Sequence, residues 1–369
     1  MKESDRVLSL DVLRGATVAF MIMVNNPGSW STIYAPLKHA AWHGCTPTDL
    51  VFPFFLFIVG VSIGFSMYSA RSKKERHPQL IKKIISRSLK LIGIGLFLAA
   101  FPYFELTTLR FPGVLQRIGI VFFFCAILFL KVDWQGLCAI IITVLLGYWG
   151  MMTLIPIPEI GAPNLDDPSM TLSAWLDRLV LGNHLWSGTK TWDPEGILST
   201  IPAIGTGLLG VLAGIWFKQP IVGQKKVAGS LIFGIIICAL GWGWGYLFPI
   251  NKGLWSSSFV LYTAGWASIG LSLSYWLLDV QKRGRNLVLP FKVFGLNPMA
   301  VYFLSGIVAR LVVIKGAIGD QSLKSWAYEN IYLSTLSPLN ASLAYAVTFI
   351  SLMYLVAWWL YKKNIVIKV

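Results

Sequence analysis

The stretch that decides the fold runs from Lys38 to Phe65: KHAAWHGCTPTDLVFPFFLFIVGVSIGF. From Leu50 onward it is an almost unbroken apolar run of the length needed to cross a bilayer. Just before it stand His39, Trp42, His43 and Asp49. The chain has only four histidines in 369 residues, and two of them lie at the mouth of this one helix.

The rest of the chain repeats the apolar theme. It is 56% hydrophobic, with a mean hydropathy of +0.67, more apolar surface than a soluble core can bury. Apolar runs of about 20 residues mark ten expected spans: 8–25, 50–69, 86–103, 114–130, 136–154, 197–217, 227–247, 259–279, 294–314 and 343–361. The expected fold is an all-α polytopic membrane protein, a bundle of about ten transmembrane helices in a single domain covering 1–369. A long extracytoplasmic loop covers about 155–196, and 315–342 reads as a surface-lying helix. The first run has no small-residue cleavage site, so it reads as a retained helix. The pairs Gly60/Gly64, Gly210/Gly214 and Gly241/Gly245 are candidates for close helix packing.

The net charge of +15 excludes nothing by itself. Its distribution argues for positive-inside loops rather than nucleic-acid binding. Most lysines and arginines fall on the side that carries both termini, including Lys2, Arg6 and the run from Arg71 to Lys90. That side is expected to be cytoplasmic, in a bacterial inner membrane, with lipid as neighbour. His39, His43 and Asp49 then face outward. Cys45, Cys125, Cys138 and Cys238 have no metal-ligand or disulfide spacing, and no metal is expected. Walker, GxGxxG, HExxH and GxSxG patterns do not occur in a convincing context.

Ionisable groups near a membrane core need a partner or a role. A histidine titrates near neutral pH, so the type of residue at 39 can take a proton from an attacking amine or hydroxyl. An interfacial histidine bonded to backbone is the bland alternative. Thr46-Pro47-Thr48-Asp49 reads as a capping box with proline at the first helical position. That explains Asp49 structurally, although an acid there could also orient His39. Asn25 ends the first span before Asn26, Pro27 and Gly28. It is either helix-end chemistry or a donor to a developing oxyanion. Asp11 and Arg14 pair at i, i+3. Arg117 lies within a span and needs a partner, with Asp193 and Glu195 the expected acids. Pro194 suggests that Asp193 caps the sixth span, and Asn297 before Pro298 is expected to cap the ninth.

Taken in order, LDVLRG (10–15), MVNN (23–26), the block 38–60, RFPGVLQRIG (110–119), WDPEGILSTI (192–201), NKGLWSSSFVLYT (251–263) and GLNPMAVY (295–302) resemble the heparan-α-glucosaminide N-acetyltransferase family and its bacterial relatives. The resemblance covers nearly the whole chain, and the block around His39 is long and specific. It implies a transmembrane acyltransferase that uses cytosolic acetyl-CoA as co-substrate to acetylate the amine of a glucosamine-type sugar at the far side. His39 matches the family's active histidine and Asn25 its asparagine at the end of the first core helix. His43 departs from the asparagine of the animal enzymes, which puts the glycan acceptor in doubt.

On that basis His39, Asn25 and Asp49 are the catalytic candidates. Arg14, Lys90 and Lys292 are the candidates for CoA phosphates, against a default of positive-inside charge. Trp42, His43, Trp192, Asp193 and Glu195 are the candidates for acceptor contact, against an interfacial belt for the tryptophans. Direct transfer with His39 as base and an acetyl-histidine intermediate both remain open. A homodimer is suggested by the family alone. The rival readings are an amino-sugar transporter or permease, which would need no acetyl donor, and an O-acyltransferase of a cell-surface glycan.

Overall fold

The computed structural model describes residues 7–367, so Lys2, Arg6 and the two chain ends lie outside the described residues. The described chain is helical, and its only β features are two isolated bridges, Ile157 with Gly161 and Ile318 with Gln321. The helices are α1 (Leu8–Val24), α2 (Val51–Ser66), α3 (Tyr68–Arg71), α4 (His77–Ala100), α5 (Val114–Lys131), α6 (Trp134–Leu154) and α7 (Leu172–Leu181). They continue as α8 (Thr200–Lys218), α9 (Gly223–Trp244), α10 (Ser257–Tyr275), α11 (Leu289–Leu296), α12 (Pro298–Leu311), α13 (Leu323–Ala327) and α14 (Pro338–Lys362).

Six helices are long and apolar enough to cross a membrane: α2 with its preceding turn, α5, α6, α8, α9 and α14. There are seven if the bent pair α11–α12 is one span. Three of the other expected spans are helical but short or diluted by polar groups. α1 is 17 residues long and carries Asp11 and Arg14, and α4 carries Lys82, Lys83, Arg87 and Lys90. In α10, Ser257, Ser258, Ser268 and Ser272 are fully buried, and Ser257 and Ser272 donate to backbone carbonyls at 2.7 Å. Such bonds remove the cost of a hydroxyl in an apolar bundle.

Close backbone approach holds the centre together. On α2, a side chain at Gly60 would run into the Gly207 carbonyl, and one at Gly64 would lie 2.8 Å from the Gly214 Cα. Thus α2 and α8 pack along two glycine stripes. Gly15 of α1 and Gly295 of α11 do the same against each other's helix. These approaches join α2 to α8 and α1 to α11, and Leu56, Phe57 and Val61 of α2 are wholly buried.

The ninth expected span is broken. α11 and α12 meet at 85° at Asn297. The Asn297 side chain does not cap α12. Its carboxamide donates to the Ile365 carbonyl and accepts from the Ile367 N–H, both at 2.8 Å. The helix breaks where Pro298 lacks an N–H and keeps Asn297 out of helical backbone, φ −128° and ψ 49°. Between α12 and α14 the chain forms only the short α13 and a turn of π-helix, Tyr328–Tyr332.

Candidate active site

The segment 25–49 folds back over the end of α1 and delivers His39 beside the start of α2. Asp49 is 1% exposed and makes two kinds of contact. Its Oδ2 accepts the Ala40 N–H at 2.9 Å and the Thr46 N–H at 3.1 Å, the second being half of a capping box. Its Oδ1 lies 2.6 Å from Nδ1 of His39. The capping and orienting roles weighed for Asp49 are therefore both present in its geometry. With Nδ1–H donated to a carboxylate, Nε2 is the ring nitrogen of His39 that carries the lone pair.

A third group was not foreseen. Lys252, in the turn between α9 and α10, places Nζ 3.0 Å from Nδ1 and 3.5 Å from Nε2 of His39, and 3.5 Å from Oδ1 of Asp49. Burial pushes its ammonium below the ordinary lysine range, and the carboxylates of Asp49 and Glu195 oppose that push. NKGLWSSS was a visible block, but it lies more than 200 residues from His39, so no local spacing rule connects the two.

These groups open into a cavity of about 480 Å³, within the ordinary range for small-molecule sites. Asn25, Trp42, Trp192, Glu195 and Arg110 also line it. Asn25 is the C-cap of α1, and among the described residues its carboxamide has no hydrogen-bond partner. Trp42 and Trp192 meet edge to face at 5.1 Å. Gly253 permits this, since a side chain there would press on both rings at 2.8–3.1 Å. The two tryptophans thus form one aromatic wall rather than a scattered interfacial belt.

The remaining candidates separate. His43 does not line the cavity. Its Nε2 pairs with Asp166 at 2.9 Å and its Nδ1 with the Asn251 amide at 3.2 Å, so both ring nitrogens tie loops together. Asp193 is fully buried and bound by Arg110 through Nε at 2.8 Å and Nη2 at 2.5 Å. It precedes α8 by a full turn and more, and does not cap it. Glu195 shares the same guanidinium at 2.5 Å. Burial works against the Arg110 charge, but the two carboxylates outweigh it and raise its pKa.

The expected contact of Arg117 with these acids is not formed. Arg117 instead donates to Ser199 Oγ at 2.5 Å and lies over the Trp255 ring at 5.0 Å. Arg110, anchored outside the apolar run, reaches both acids first.

At the other end of α1, Arg14 pairs with Asp11 at 3.0 Å and donates to Ser62 Oγ at 2.9 Å. It lines a second cavity of about 350 Å³ with Arg87, Phe55, Ile118 and Phe122. Lys292 lines a neighbouring one of about 590 Å³ with Arg285, and the two cavities share Leu296 and Val366. Lys90 is on the exposed face of α4 and lines neither. Arg87, one turn earlier, takes the position expected of it.

The His39 cavity and the Arg14 cavity are lined by the same three helices. On α2, Val51 and Phe52 face the first and Phe55 the second. On α5, Val114 faces the first, Ile118 the second. One helical turn, about 5 Å of rise, separates them on α2 and α5, and two turns separate Arg14 from Met21 on α1.

A family model described as heparan-alpha-glucosaminide N-acetyltransferase, catalytic, matches residues 6–241. The human protein of that name is 32% identical over 92% of this chain, and the mouse protein 30% identical over 93%. The chain spans 59% and 60% of the length of these two relatives.

Proposed function

The chain belongs to the heparan-alpha-glucosaminide N-acetyltransferase family, and from that premise we propose that it carries acetyl from acetyl-CoA to the amine of a glucosamine-type sugar across a membrane. The observation that carries the proposal is the pair of cavities one to two helical turns apart along α1, α2 and α5, basic at one end and His39-centred at the other.

A transferase that spans a bilayer must keep a polyanionic donor on one side, because charged phosphates do not enter hydrocarbon. Arg14, Arg87, Arg285 and Lys292 would meet the CoA phosphates at a cytoplasmic mouth. The thin, uncharged thioester arm would pass the apolar constriction at Phe52, Phe55 and Ile118. The sugar would enter the larger outer cavity against Trp42 and Trp192, with Glu195 near its amine. On this reading ten segments cross an inner membrane, both termini are cytoplasmic, and the loop 155–196 is extracytoplasmic.

In the transfer, the amine nitrogen attacks the thioester carbon as His39 Nε2 takes its proton. The carbonyl oxygen gains negative charge and the Asn25 carboxamide donates to it. As the tetrahedral centre collapses, the C–S bond breaks and CoA leaves as its thiolate, which is protonated to the thiol. Asp49 holds Nδ1–H throughout, so the ring presents a single free nitrogen. Direct transfer asks only this one role of His39.

Sealed proteoliposomes test the arrangement. Acetyl-CoA supplied on one face and glucosamine on the other should yield N-acetylglucosamine on the acceptor face alone. Product that appears only when both substrates share a face would refute transfer across the membrane. Movement of unmodified sugar without acetyl-CoA would instead support a transporter.

A further inference from the structure

We propose that Lys252 is a self-acetylation site: its side-chain amine, held beside His39 where the acceptor's amine must stand, takes acetyl from acetyl-CoA when no acceptor is bound and closes the site to further turnover. The inference rests on the reading of the chain as an acetyl-CoA-dependent transferase with His39 as its base.

A general base acts on a nucleophile that lies within hydrogen-bond reach of it. Lys252 Nζ is 3.0 Å from Nδ1 and 3.5 Å from Nε2 of His39. Among the described residues it is the one lysine that lines this cavity. Burial pushes its ammonium below the ordinary lysine range, against the pull of Asp49 and Glu195. That direction favours the amine, which is the form that attacks a thioester. The site therefore holds an amine, a base and an orienting carboxylate before any sugar arrives. The other nucleophile near Asp49, the Cys45 thiol, does not line the cavity, and burial and Asp49 push its pKa up to about 12.

The turn that carries Lys252 is tied on both sides. The Asn251 carboxamide accepts the Leu254 N–H at 2.8 Å and donates to the Trp42 carbonyl at 3.0 Å. The Lys252 carbonyl accepts the Trp255 N–H at 3.1 Å. These bonds fix the backbone that presents the amine to His39.

In the step, the Lys252 nitrogen attacks the thioester carbon and an N–C bond forms, while His39 Nε2 takes a proton from that nitrogen. The tetrahedral centre collapses, the C–S bond breaks, and His39 returns the proton to the departing thiolate. One acetyl-CoA and one lysine amine give one acetyl-lysine and one CoA thiol, with no other reactant. The product is an amide, far less reactive toward amines than a thioester, so the acetyl group is not handed on. It stays beside His39 in the acceptor cavity. A sugar amine bound at His39 would take the place of Nζ and protect the lysine.

The test incubates the full chain in detergent with acetyl-CoA that carries a deuterated acetyl group, and mass spectrometry reads the label on each lysine peptide. Lys38 and Lys190, both exposed, report uncatalysed acetylation. Lys252 should gain label about tenfold faster than either, or more. Glucosamine should suppress that label, and folded His39→Ala should lower it to the level of Lys38. Transfer to glucosamine added afterwards should decline in step with the label at Lys252. In Lys252→Arg, whose guanidinium is a poor nucleophile, the same preincubation should leave that variant's own starting rate unchanged. If His39→Ala does not elute as a folded protein, His39→Gln carries the test. Lys252 labelled no faster than Lys38, in wild type that acetylates glucosamine, overturns the proposal and spares the transferase reading. Label that persists in the folded His39 variant also overturns it. A bare Lys252 with no sugar product refutes both, whereas a labelled Lys252 with no sugar product upholds the proposal and refutes glucosamine as the acceptor.

Discussion

Asp49→Asn is the most informative single substitution, because it changes one atom and leaves the volume alone. In wild type, Oδ2 accepts two backbone N–H groups, from Ala40 and Thr46, while Oδ1 accepts from His39. A carboxamide has one oxygen to serve both sides. If its NH2 faced Ala40 and Thr46, two buried donors would lose their acceptor, at about 1–3 kcal/mol each. If it faces His39, only the imidazole must adjust, by moving its proton from Nδ1 to Nε2. The second arrangement is favoured by about 2–6 kcal/mol, so nearly every molecule adopts it. The cost falls on catalysis: Nε2 now carries a proton and cannot accept another. General-base catalysis is worth about 10²–10⁴-fold, so kcat for acetyl transfer should fall by at least about a hundredfold with little change in KM. Thermal stability in detergent should change far less, since the cap survives. Steady-state kinetics beside a melting curve reads both. A variant with kcat within threefold of wild type would refute the tautomer argument.

Further outcomes follow from other parts of the structure. Arg110→Met leaves Asp193 and Glu195 without their cation, and breaking a buried pair in this way typically costs about 3–5 kcal/mol; a large fall in melting temperature is expected, and an unchanged one would refute the bridge. Asp177 is buried, and this raises its pKa to about 6. The folded state thus favours its neutral form, and the associated stability is complete below pH 4 and lost as pH rises through 6, about 3 kcal/mol in all. Asp177→Asn should remove that slope from a plot of stability against pH, and parallel plots would contradict it. Gly60→Leu drives a side chain into the Gly207 carbonyl and should abolish the monodisperse folded peak on size exclusion. Arg285→Ala should raise KM for acetyl-CoA severalfold with little change in KM for the sugar.

Much of the candidate site was legible because it is local. The spacing from Thr46 to Asp49 announces a helix start, and a histidine ten residues earlier lies within reach of the same carboxylate. The polar clamp from NKGLWSSS could not be read this way, because Lys252 and Asn251 meet His39 and Trp42 only after α9 and α10 have packed. Arg117 misled for another reason: acids expected at the same side of the membrane suggested a partner, yet Arg110 is better placed to reach them. Asn297 before Pro298 carries a cap signature, but a cap competes with any other acceptor and donor that arrive, and the tail residues Ile365 and Ile367 arrive there. The polar groups that interrupt α1 and α10 have partners inside the bundle, Asp11 and Ser62 for Arg14 and backbone carbonyls for Ser257 and Ser272. Hydropathy counts such groups without seeing their partners.

The central claim is acetyl transfer centred on His39. Purified protein in detergent, mixed with radiolabelled acetyl-CoA and glucosamine, should form labelled N-acetylglucosamine. His39→Ala, folded by size exclusion, should form none above background. Equal product from wild type and His39→Ala, or no product and no release of CoA by wild type with a panel of amino sugars, would contradict the account.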